Sequence, residues 1–314
     1  MKNNPIESVL DVSVIMPTYN CLAYLPQAVE SVLSQSVSLE LLIVDDSSTD
    51  GSHIWLADLA NKDPRVKILK GEHKGVSAAR NLAIAKAAGA WVAFLDADDY
   101  WYPEKLSKQL EIVQAYPKCV LNFTEYDHFD EQGGDLGRCF QFWPRFSKLV
   151  QGKTKAFVLN GQTKASIYEE NVIGTSTVLV DTKLLQVIGG FDETLFSASD
   201  WDLWLKISAY GDFTVLSDST TGYLVRSNSI SRNQHKRLNS MKLILERYRK
   251  PMESAAPHCF APAFARYKLA QAEAFQSEKG GYVQALMAYL QACYQLPTKR
   301  NMKACLSHVL HGIK

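Results

Sequence analysis

Residues 91–101 (WVAFLDADDYW) place three carboxylates directly after a run of apolar residues. Such a run predicts a buried strand, which must leave the core before it reaches charged side chains. We therefore expect Asp96, Asp98 and Asp99 at the carboxyl end of a strand. Asp96 and Asp98, separated by the small Ala97, could present hard oxygen ligands to one Mg²⁺ or Mn²⁺ ion. The alternative is a polar turn with a helix cap, since Asp is common in both.

Three runs with strand-like composition precede this stretch, and a helical pattern follows each of them. The runs cover residues 12–16, 39–44 and 65–69. Strands that alternate with helices predict parallel pairing through right-handed crossovers, so residues 11–100 are expected to form a doubly wound α/β nucleotide-binding half. Ligands bind at the carboxyl edge of such a sheet, where each run ends in polar residues.

Two common nucleotide-binding motifs are absent from the sequence. No GxGxxG follows the first apolar run, which disfavours a dinucleotide oxidoreductase, and no GxxxxGK[ST] is present to form a P-loop. A nucleotide bound here would need other groups to hold its phosphates.

Composition excludes several classes of protein. The chain has 314 residues, 46% hydrophobic and 21% charged, with a net charge of +1, which argues for a globular fold and against nucleic-acid binding. The six cysteines form no CxxC pair, which fits a reducing cytoplasm. The N-terminus lacks the apolar core of a signal peptide, and no window approaches the roughly 18 apolar residues of a membrane span. We expect a soluble or peripherally attached protein.

Four motifs carry a family resemblance: VSVIMPTYN, LLIVDDSSTDGS, GVSAARNLAIAKAAGAWVAFLDADD and GGFDETLFSASDWDLWLKIS. Their order and separation, over about residues 11–231, resemble the family 2 glycosyltransferases of the bacterial non-processive type. The resemblance implies a GT-A fold, an α/β class with a Rossmann-like mixed sheet flanked by helices. It implies a catalytic domain at 1–232, with an acceptor half at about 101–232, and a helical C-terminal extension at 233–314.

The resemblance also implies roles for individual residues. The base and ribose of a nucleotide sugar would be held by the segment from Pro17 to Asn20 and by Asp46, with Arg80 near the base or phosphates. The expected nucleotide-binding residues are thus Pro17, Thr18, Tyr19, Asn20, Asp46, Arg80, Asp96 and Ala97. Asp96 and Asp98 would form the DxD pair, with Asp98 the direct ligand of Mn²⁺ or Mg²⁺.

Asp200 matches the catalytic base of the family's Glu-Asp motif, although Ser199 stands where the family usually has Glu. The implied reaction is inverting transfer of a sugar, UDP-linked by preference, to a hydroxyl of a glycan or lipid-linked acceptor in surface polysaccharide or glycoconjugate biosynthesis. Two rival classes are a sugar-phosphate nucleotidyltransferase and a non-catalytic nucleotide-sugar-binding or adaptor protein. The first would carry a Gly- and Arg-rich loop where this chain has PTYN, and the second would have lost the DxD pair or the base.

Several residues have a structural alternative. Asp45 is expected to end a strand, whereas Asp46 is expected to contact ligand. Arg80 could lie on a solvated helix face. Trp201 fits a core position better than a sugar-stacking platform, and His235 fits an exposed or structural residue better than a metal ligand.

The region after residue 236 reads as amphipathic helices separated by prolines and glycines. The pair around Gly280 and Gly281 resembles one tetratricopeptide repeat, which cannot form a solenoid alone. The basic residues of this C-terminal region allow peripheral contact with anionic lipid, although a solvated helix face also explains them.

Overall fold

The computed structural model describes residues 10–226 and 234–312, which divide into two compact units. The first unit contains residues 10–159, 173–193 and 206–226 of this part, and the second contains 160–172, 194–205 and 234–312. The predicted domain boundary between residues 232 and 233 lies outside the described residues.

All strands of the described residues lie in the first unit. They are β1 (Val12–Thr18), β2 (Leu39–Asp45), β3 (Val66–Lys70), β4 (Trp91–Phe94), β5 (Tyr100–Trp101), β6 (Cys119–Asp130), β7 (Asp135–Arg138), β8 (Phe157–Leu159), β9 (Leu179–Asp181) and β10 (Asp212–Val225).

The α-helices of the described residues are α1 (Leu25–Leu33), α2 (Ser52–Lys62), α3 (Val76–Ile84), α4 (Lys105–Ala115), α5 (Cys139–Phe142), α6 (Pro144–Val150), α7 (Ser166–Glu169), α8 (Thr182–Ile188), α9 (Ser199–Ile207), α10 (Gln234–Ala255), α11 (Phe260–Gln276), α12 (Tyr282–Gln295) and α13 (Lys299–Gly312).

The strands form one mixed sheet in the order β3-β2-β1-β4-β9-β6-β10-β5, with β7 paired to β6 and β8 paired to β10. The first four strands in this order run parallel, as the alternation of strands and helices predicts. Strand β9 is antiparallel to both of its neighbours, β4 and β6. The predicted α/β class is confirmed. All seven residues of β1 and of β2 are buried, which is typical of parallel strands covered on both faces.

Two strand predictions differ from the structure. The β-branched residues at 174–180 predict a strand, but Thr175–Thr177 is a 3₁₀ helix and only β9 is extended. The reason is that the Ser176 hydroxyl and carbonyl bond to Asp99 and Trp101 instead of to a neighbouring strand. The runs FTVLS and GYLVR after residue 211 predict two strands, but they form the single strand β10, whose pairing with β6 shifts register between Leu216 and Gly222.

The second unit contains the C-terminal helices and the first part of α9. Helices α11 and α12 pack as a pair around small residues, with Ala272, Ala285, Ala288 and Tyr289 at the centre. Trp201 is fully buried, stacks on Tyr168 and donates its indole N–H to the Ile167 carbonyl at 2.7 Å, which confirms the predicted core position. No helix in the described residues has the length and apolar composition needed to cross a bilayer.

One buried carboxyl group links the fold to pH. Glu125 on β6 accepts hydrogen bonds from the Tyr126 N–H at 2.9 Å and from the Phe140 N–H at 3.0 Å. Burial raises the pKa of Glu125 to about 7, although both hydrogen bonds favour the charged form. The folded protein therefore binds a proton at this site more tightly than the unfolded chain does.

We predict that Glu125 makes the protein less stable as the pH rises. Its folded pKa lies above its unfolded value, so the stabilisation is complete below about pH 4 and is lost as the pH passes 7. Urea unfolding at pH 5 and pH 8 should show that the wild type loses about 2–3 kcal/mol more than Glu125→Gln, which cannot ionise. Exposed Glu111→Gln is the control and should follow the wild type. Equal losses in the wild type and Glu125→Gln would contradict this assignment.

Candidate active site

The polar residues that the sequence places after β1, β2 and β4 meet at one edge of the sheet in the first unit. β1 lies between β2 and β4, so the three strand ends are adjacent. The Asp46 N–H donates to the Thr18 carbonyl at 2.9 Å and thereby joins the segments after β1 and β2. The Leu95 N–H donates to the Ile15 carbonyl at 3.0 Å and joins β4 to β1.

The segment from Thr18 to Asn20 forms one wall of this edge. Thr18 is buried, with 3% of its surface exposed, and its hydroxyl has no hydrogen-bond partner among the described residues. Buried hydroxyl groups normally have a hydrogen-bond partner, so the Thr18 hydroxyl is a candidate to contact a polar group of a ligand. Tyr19 is exposed and lies 5.0 Å from the His73 ring between centroids. Asn20 has a φ of 52° and accepts a hydrogen bond from the Thr49 N–H at 2.7 Å, which holds the turn.

Asp46 organises the loop after β3. Its carboxylate accepts hydrogen bonds from the His73 N–H at 2.7 Å and the Gly75 N–H at 2.9 Å. Gly71 passes so close beneath it that an added Cβ would lie 2.5 Å from the Asp46 carboxylate, so only glycine fits there. Asp45 instead accepts from the Ser48 N–H at 3.0 Å and closes a turn, the structural role expected for it.

Arg80 binds the first carboxylate of the DxD pair. It lies on α3 and is buried, and its guanidinium donates to Asp96 at 2.5 Å and lies 5.1 Å from the Phe191 ring centre. The alternative of a solvated Arg80 is therefore wrong. Its Nε is also buried without a partner among the described residues, which leaves one donor unused at this position.

Arg226 binds the second carboxylate. It follows the last residue of β10, and its Nε lies 3.2 Å from the Asp98 carboxylate. Its guanidinium lies 5.3 Å from the Tyr24 ring centre and 3.8 Å from the Cys21 sulfur. Burial and the neighbouring Asp96 charge raise the pKa of Asp98, whereas Arg226 opposes the shift. Negative charge is therefore crowded around Asp96 and Asp98, and positively charged groups such as Arg226 offset it.

Asp99 fixes the loop that carries the DxD pair. It is buried and accepts hydrogen bonds from the Ser176 hydroxyl at 2.6 Å and the Leu224 N–H at 3.1 Å. The Ser176 oxygen in turn accepts from the Asp96 N–H at 3.1 Å. Burial, and then the Asp98 and Asp96 charges, raise the pKa of Asp99 well above its usual range. Ala97 is buried in the hydrophobic core, so its side chain anchors the loop from the other side.

The two carboxylates fit a divalent cation that is also held by a substrate. Among the described residues no group of three or more His, Cys, Asp or Glu side chains is arranged to hold a metal ion. Mg²⁺ commonly binds through one or two carboxylates together with substrate phosphates, so Asp96 and Asp98 are a sufficient protein contribution. His235 lies in the second unit, where its Nε2 is 3.2 Å from Glu278.

Asp200 lies in the first turn of α9, in the second unit. Its carboxylate accepts a hydrogen bond from the Trp201 N–H at 2.8 Å. Asp202, in the same turn, is buried and forms an ion pair with Arg247 at 2.7 Å. The two neighbouring aspartates therefore bond to different groups, Asp200 to the Trp201 N–H and Asp202 to Arg247 of α10.

Sequence reasoning placed Asp99 at the end of a strand but assigned no role to three other residues that shape the site, namely His73, Ser176 and Arg226. His73 and Asp99 carried a signal, because each follows a strand at the carboxyl edge. Ser176 and Arg226 carried none, because only the folded sheet brings them to Asp96 and Asp98.

The sequence matches the family model described as glycosyl transferase family 2 over residues 13–165. The chain is 32% identical over 232 residues to the putative teichuronic acid biosynthesis glycosyltransferase TuaG of Bacillus subtilis, a match that covers 72% of this chain and 83% of TuaG. The chain belongs to glycosyl transferase family 2 and is a glycosyltransferase, as the four sequence motifs imply.

Solved structures show the same fold. S. aureus TarS 1–349 in complex with UDP superposes with a TM-score of 0.67 and 21% identity, covering 91% of this chain and 81% of that one. The mannosyltransferase PcManGT from Pyrobaculum calidifontis, in complex with GDP-Man and Mn²⁺, has a TM-score of 0.60 and 17% identity, covering 98% of this chain and 88% of that one. These similarities confirm the GT-A fold.

We predict that Ser176→Ala destabilises the protein. The change removes a donor to the buried Asp99 carboxylate and an acceptor of the Asp96 N–H, so the free energy of unfolding should fall by about 1–3 kcal/mol. Urea unfolding measures this loss. Ser36→Ala, at an exposed position, is the control and should change stability by less than about 0.5 kcal/mol. Equal stability of both variants would show that the Ser176 bonds contribute nothing net.

Proposed function

We propose that the protein is an inverting, metal-dependent glycosyltransferase that transfers a sugar from a nucleoside diphosphate sugar, UDP-linked by preference, to an acceptor hydroxyl. The observation that carries this proposal is the pairing of Asp96 with Arg80 and of Asp98 with Arg226 at the carboxyl edge of the sheet. Two carboxylates can share a divalent cation with a diphosphate, and a neighbouring guanidinium group can bind phosphate oxygens.

The relatives support the donor and acceptor classes. TarS is solved with UDP, and the Pyrobaculum mannosyltransferase with GDP-Man and Mn²⁺. TuaG is named for teichuronic acid biosynthesis, which favours a glycan or lipid-linked acceptor and a role in surface polysaccharide or glycoconjugate synthesis. All six cysteines are free thiols, which fits work in the cytoplasm. Membership of the family disfavours the nucleotidyltransferase alternative.

The nucleoside would bind along the segment Pro17 to Asn20. The unpartnered Thr18 hydroxyl supplies a hydrogen-bonding group, and Tyr19 with His73 supplies an exposed ring pair on which a base can stack. Asp46 holds the His73 loop in place and remains able to accept a further hydrogen bond from a ribose or base, because each carboxylate oxygen has two lone pairs.

Asp98 and Asp96 would hold Mn²⁺ or Mg²⁺. Such an ion, when bound, neutralises charge that develops on the leaving diphosphate. Arg226 competes with a cation for the Asp98 carboxylate, so donor binding requires this guanidinium to turn from Asp98. Its positive charge is then available to the phosphates. Arg80 remains on Asp96 and keeps that side chain oriented.

Asp200 is the carboxylate that we assign as general base. The acceptor oxygen attacks the anomeric carbon while the bond from that carbon to the diphosphate oxygen breaks, and the acceptor proton passes to Asp200. A single displacement of this kind inverts the configuration. The position of Asp200 at the start of α9 and its bond from the Trp201 N–H both stabilise the charged carboxylate.

The metal assignment predicts that UDP raises the thermal midpoint clearly with Mn²⁺ and only weakly without it, because two phosphates and crowded carboxylates would otherwise face one another. Asp98→Asn should remove most of the metal-dependent gain in the thermal midpoint.

Arg226→Gln should tighten binding of Mn²⁺ alone by about fivefold, since a competing cation worth about 1 kcal/mol is removed. Free Mn²⁺ is measured by its electron paramagnetic resonance signal.

Asp218→Asn is the matched control for Asp98→Asn, because Asp218 is exposed in the same unit. It should leave the nucleotide and Mn²⁺ responses unchanged. An undiminished Mn²⁺ dependence in Asp98→Asn would exclude Asp98 as a ligand, and a screen of UDP- and GDP-sugars in the same assay identifies the donor.

The base assignment predicts that Asp200→Asn lowers the transfer rate by about 10²- to 10⁴-fold while UDP and Mn²⁺ affinities stay within about twofold. Asp202→Asn is the control, because its carboxylate is bound to Arg247 and its loss should reduce stability more than transfer. Rates with the wild type's own donor and acceptor measure the effect. The opposite pattern, inactive Asp202→Asn and active Asp200→Asn in folded proteins, would move the base to Asp202.

A further inference from the structure

Helix α12 exposes a continuous apolar stripe. Val283, Met287, Leu290 and Tyr294 follow one another at intervals of four, three and four residues, so they share one helix face. Each is between 49% and 87% exposed. The opposite face packs inside the unit through Ala285, Ala288, Tyr289 and Ala292, so the stripe is additional to the core.

The same pattern continues on α13. Met302, Leu306 and Leu310 are exposed at intervals of four residues. Lys299 lies three positions before Met302 and Lys303 three positions before Leu306, so each lysine neighbours an exposed apolar residue on the helix surface, and both lysines are exposed. Asn301 and His308 are buried on the other side. Lysines beside exposed apolar residues can place their stems on lipid chains and their ammonium groups among headgroups.

The charge of this segment has one sign. Residues 282–312 contain three Lys or Arg residues and no Asp or Glu. Helix α10 differs because it contains both signs: it has six Lys or Arg residues and two Glu residues, and Arg249 pairs with Glu253 and Lys242 with Glu246. A solvated helix face generally mixes both signs, so exposed apolar residues with unmixed positive charge indicate a negatively charged, partly apolar partner.

A groove lies beside the stripe. It has a volume of about 480 Å³ and is lined by apolar residues of α11 and α12, including Phe264, Met287 and Leu290, with Lys268 and two glutamines as its polar residues. An apolar channel with a single cation fits an acyl chain below a phosphate headgroup. Lys268 lies 5.2 Å above the Phe264 ring centre, at the wall of the groove.

We propose that the exposed residues of α12 and α13 form a surface that binds anionic phospholipid at a bilayer interface. We call this surface the lipid face; it comprises the α12 stripe, the three apolar α13 residues, Lys299 and Lys303. The tyrosines Tyr282 and Tyr294 stand at the two ends of α12, and aromatic residues of this type favour the headgroup level.

A second copy of the chain fits the lipid face poorly. A two-fold contact places the same surface on both partners, so the lysines of one copy would face a surface whose residues 282–312 carry basic side chains and no acid. A bilayer containing anionic lipid complements both the charge and the apolar residues. Attachment to a membrane that carries lipid-linked acceptors depends on the proposed function, whereas lipid binding itself does not.

The test is co-sedimentation of the full chain with vesicles of phosphatidylcholine alone or with added phosphatidylglycerol. We expect binding only with phosphatidylglycerol, weakened by salt. Lys299→Gln with Lys303→Gln should reduce it by about 25-fold, since each basic residue contributes roughly fivefold. Met287→Gln with Leu290→Gln should reduce it by at least about tenfold. The matched control, Leu243→Gln with Lys250→Gln, changes exposed residues of α10 and should bind as wild type.

No binding to either vesicle, or equal loss in the α10 control, would overturn the lipid face. So would analytical ultracentrifugation that shows a dimer which Met287→Gln with Leu290→Gln converts to monomers, because the stripe would then join two copies. Polyglutamate binding as strong as vesicle binding and insensitive to the stripe variant would reduce the effect to charge alone. The UDP and Mn²⁺ thermal shift, measured on the same variants, separates failure of the lipid face from failure of the proposed function.

Discussion

The crowding of Asp96, Asp98 and Asp99 at the end of β4 is the constraint on which the first unit depends. Three carboxylates within four residues repel one another, and the raised pKa of Asp98 and of Asp99 reflects both that repulsion and burial. The fold accommodates them by separating their environments. Asp99 is buried and accepts hydrogen bonds from neutral donors, whereas Asp96 and Asp98 pair with arginines at the edge of the sheet. Asp96 and Asp98 are therefore the two carboxylates that we propose as cation ligands.

The sheet topology supplies those partners from distant segments. Arg80 comes from α3, which follows β3, and Arg226 from the end of β10. The Leu224 N–H donates a hydrogen bond to Asp99. Asp99 therefore also fixes the end of β10, the strand that Arg226 follows. The bulges of β10 let one strand pair with β6 along its length and still end beside Asp98. A substitution in β10 that displaces Arg226 would therefore change the charge beside Asp98 without replacing Asp96 or Asp98.

Local patterns were sufficient for the first hundred residues, because apolar runs, helical spacing and polar strand ends all indicate the same parallel βα units. They predicted β1, β2 and β4 and the carboxyl-edge position of Thr18, Asp46 and Asp96. They failed where tertiary hydrogen bonds replace strand pairing, as at Ser176, and where residues distant in sequence meet, as at Arg226 and Asp98. Arg80 shows the same limit: composition allowed a solvated arginine on an alanine-rich helix, but a buried ion pair with Asp96 decides its position.

The site and the lipid face depend on opposite treatments of charge. At the DxD loop the chain places three acids close together and pairs two of them with arginines. In α12 and α13 it removes acids altogether and leaves apolar side chains exposed. Neither arrangement favours stability by itself, because unscreened like charges and exposed apolar residues both raise the free energy of the isolated protein. We propose that each becomes favourable when an external partner of complementary charge binds, a nucleotide with its cation at the first and a lipid surface at the second. Function at both places therefore follows from interactions that the chain leaves incomplete.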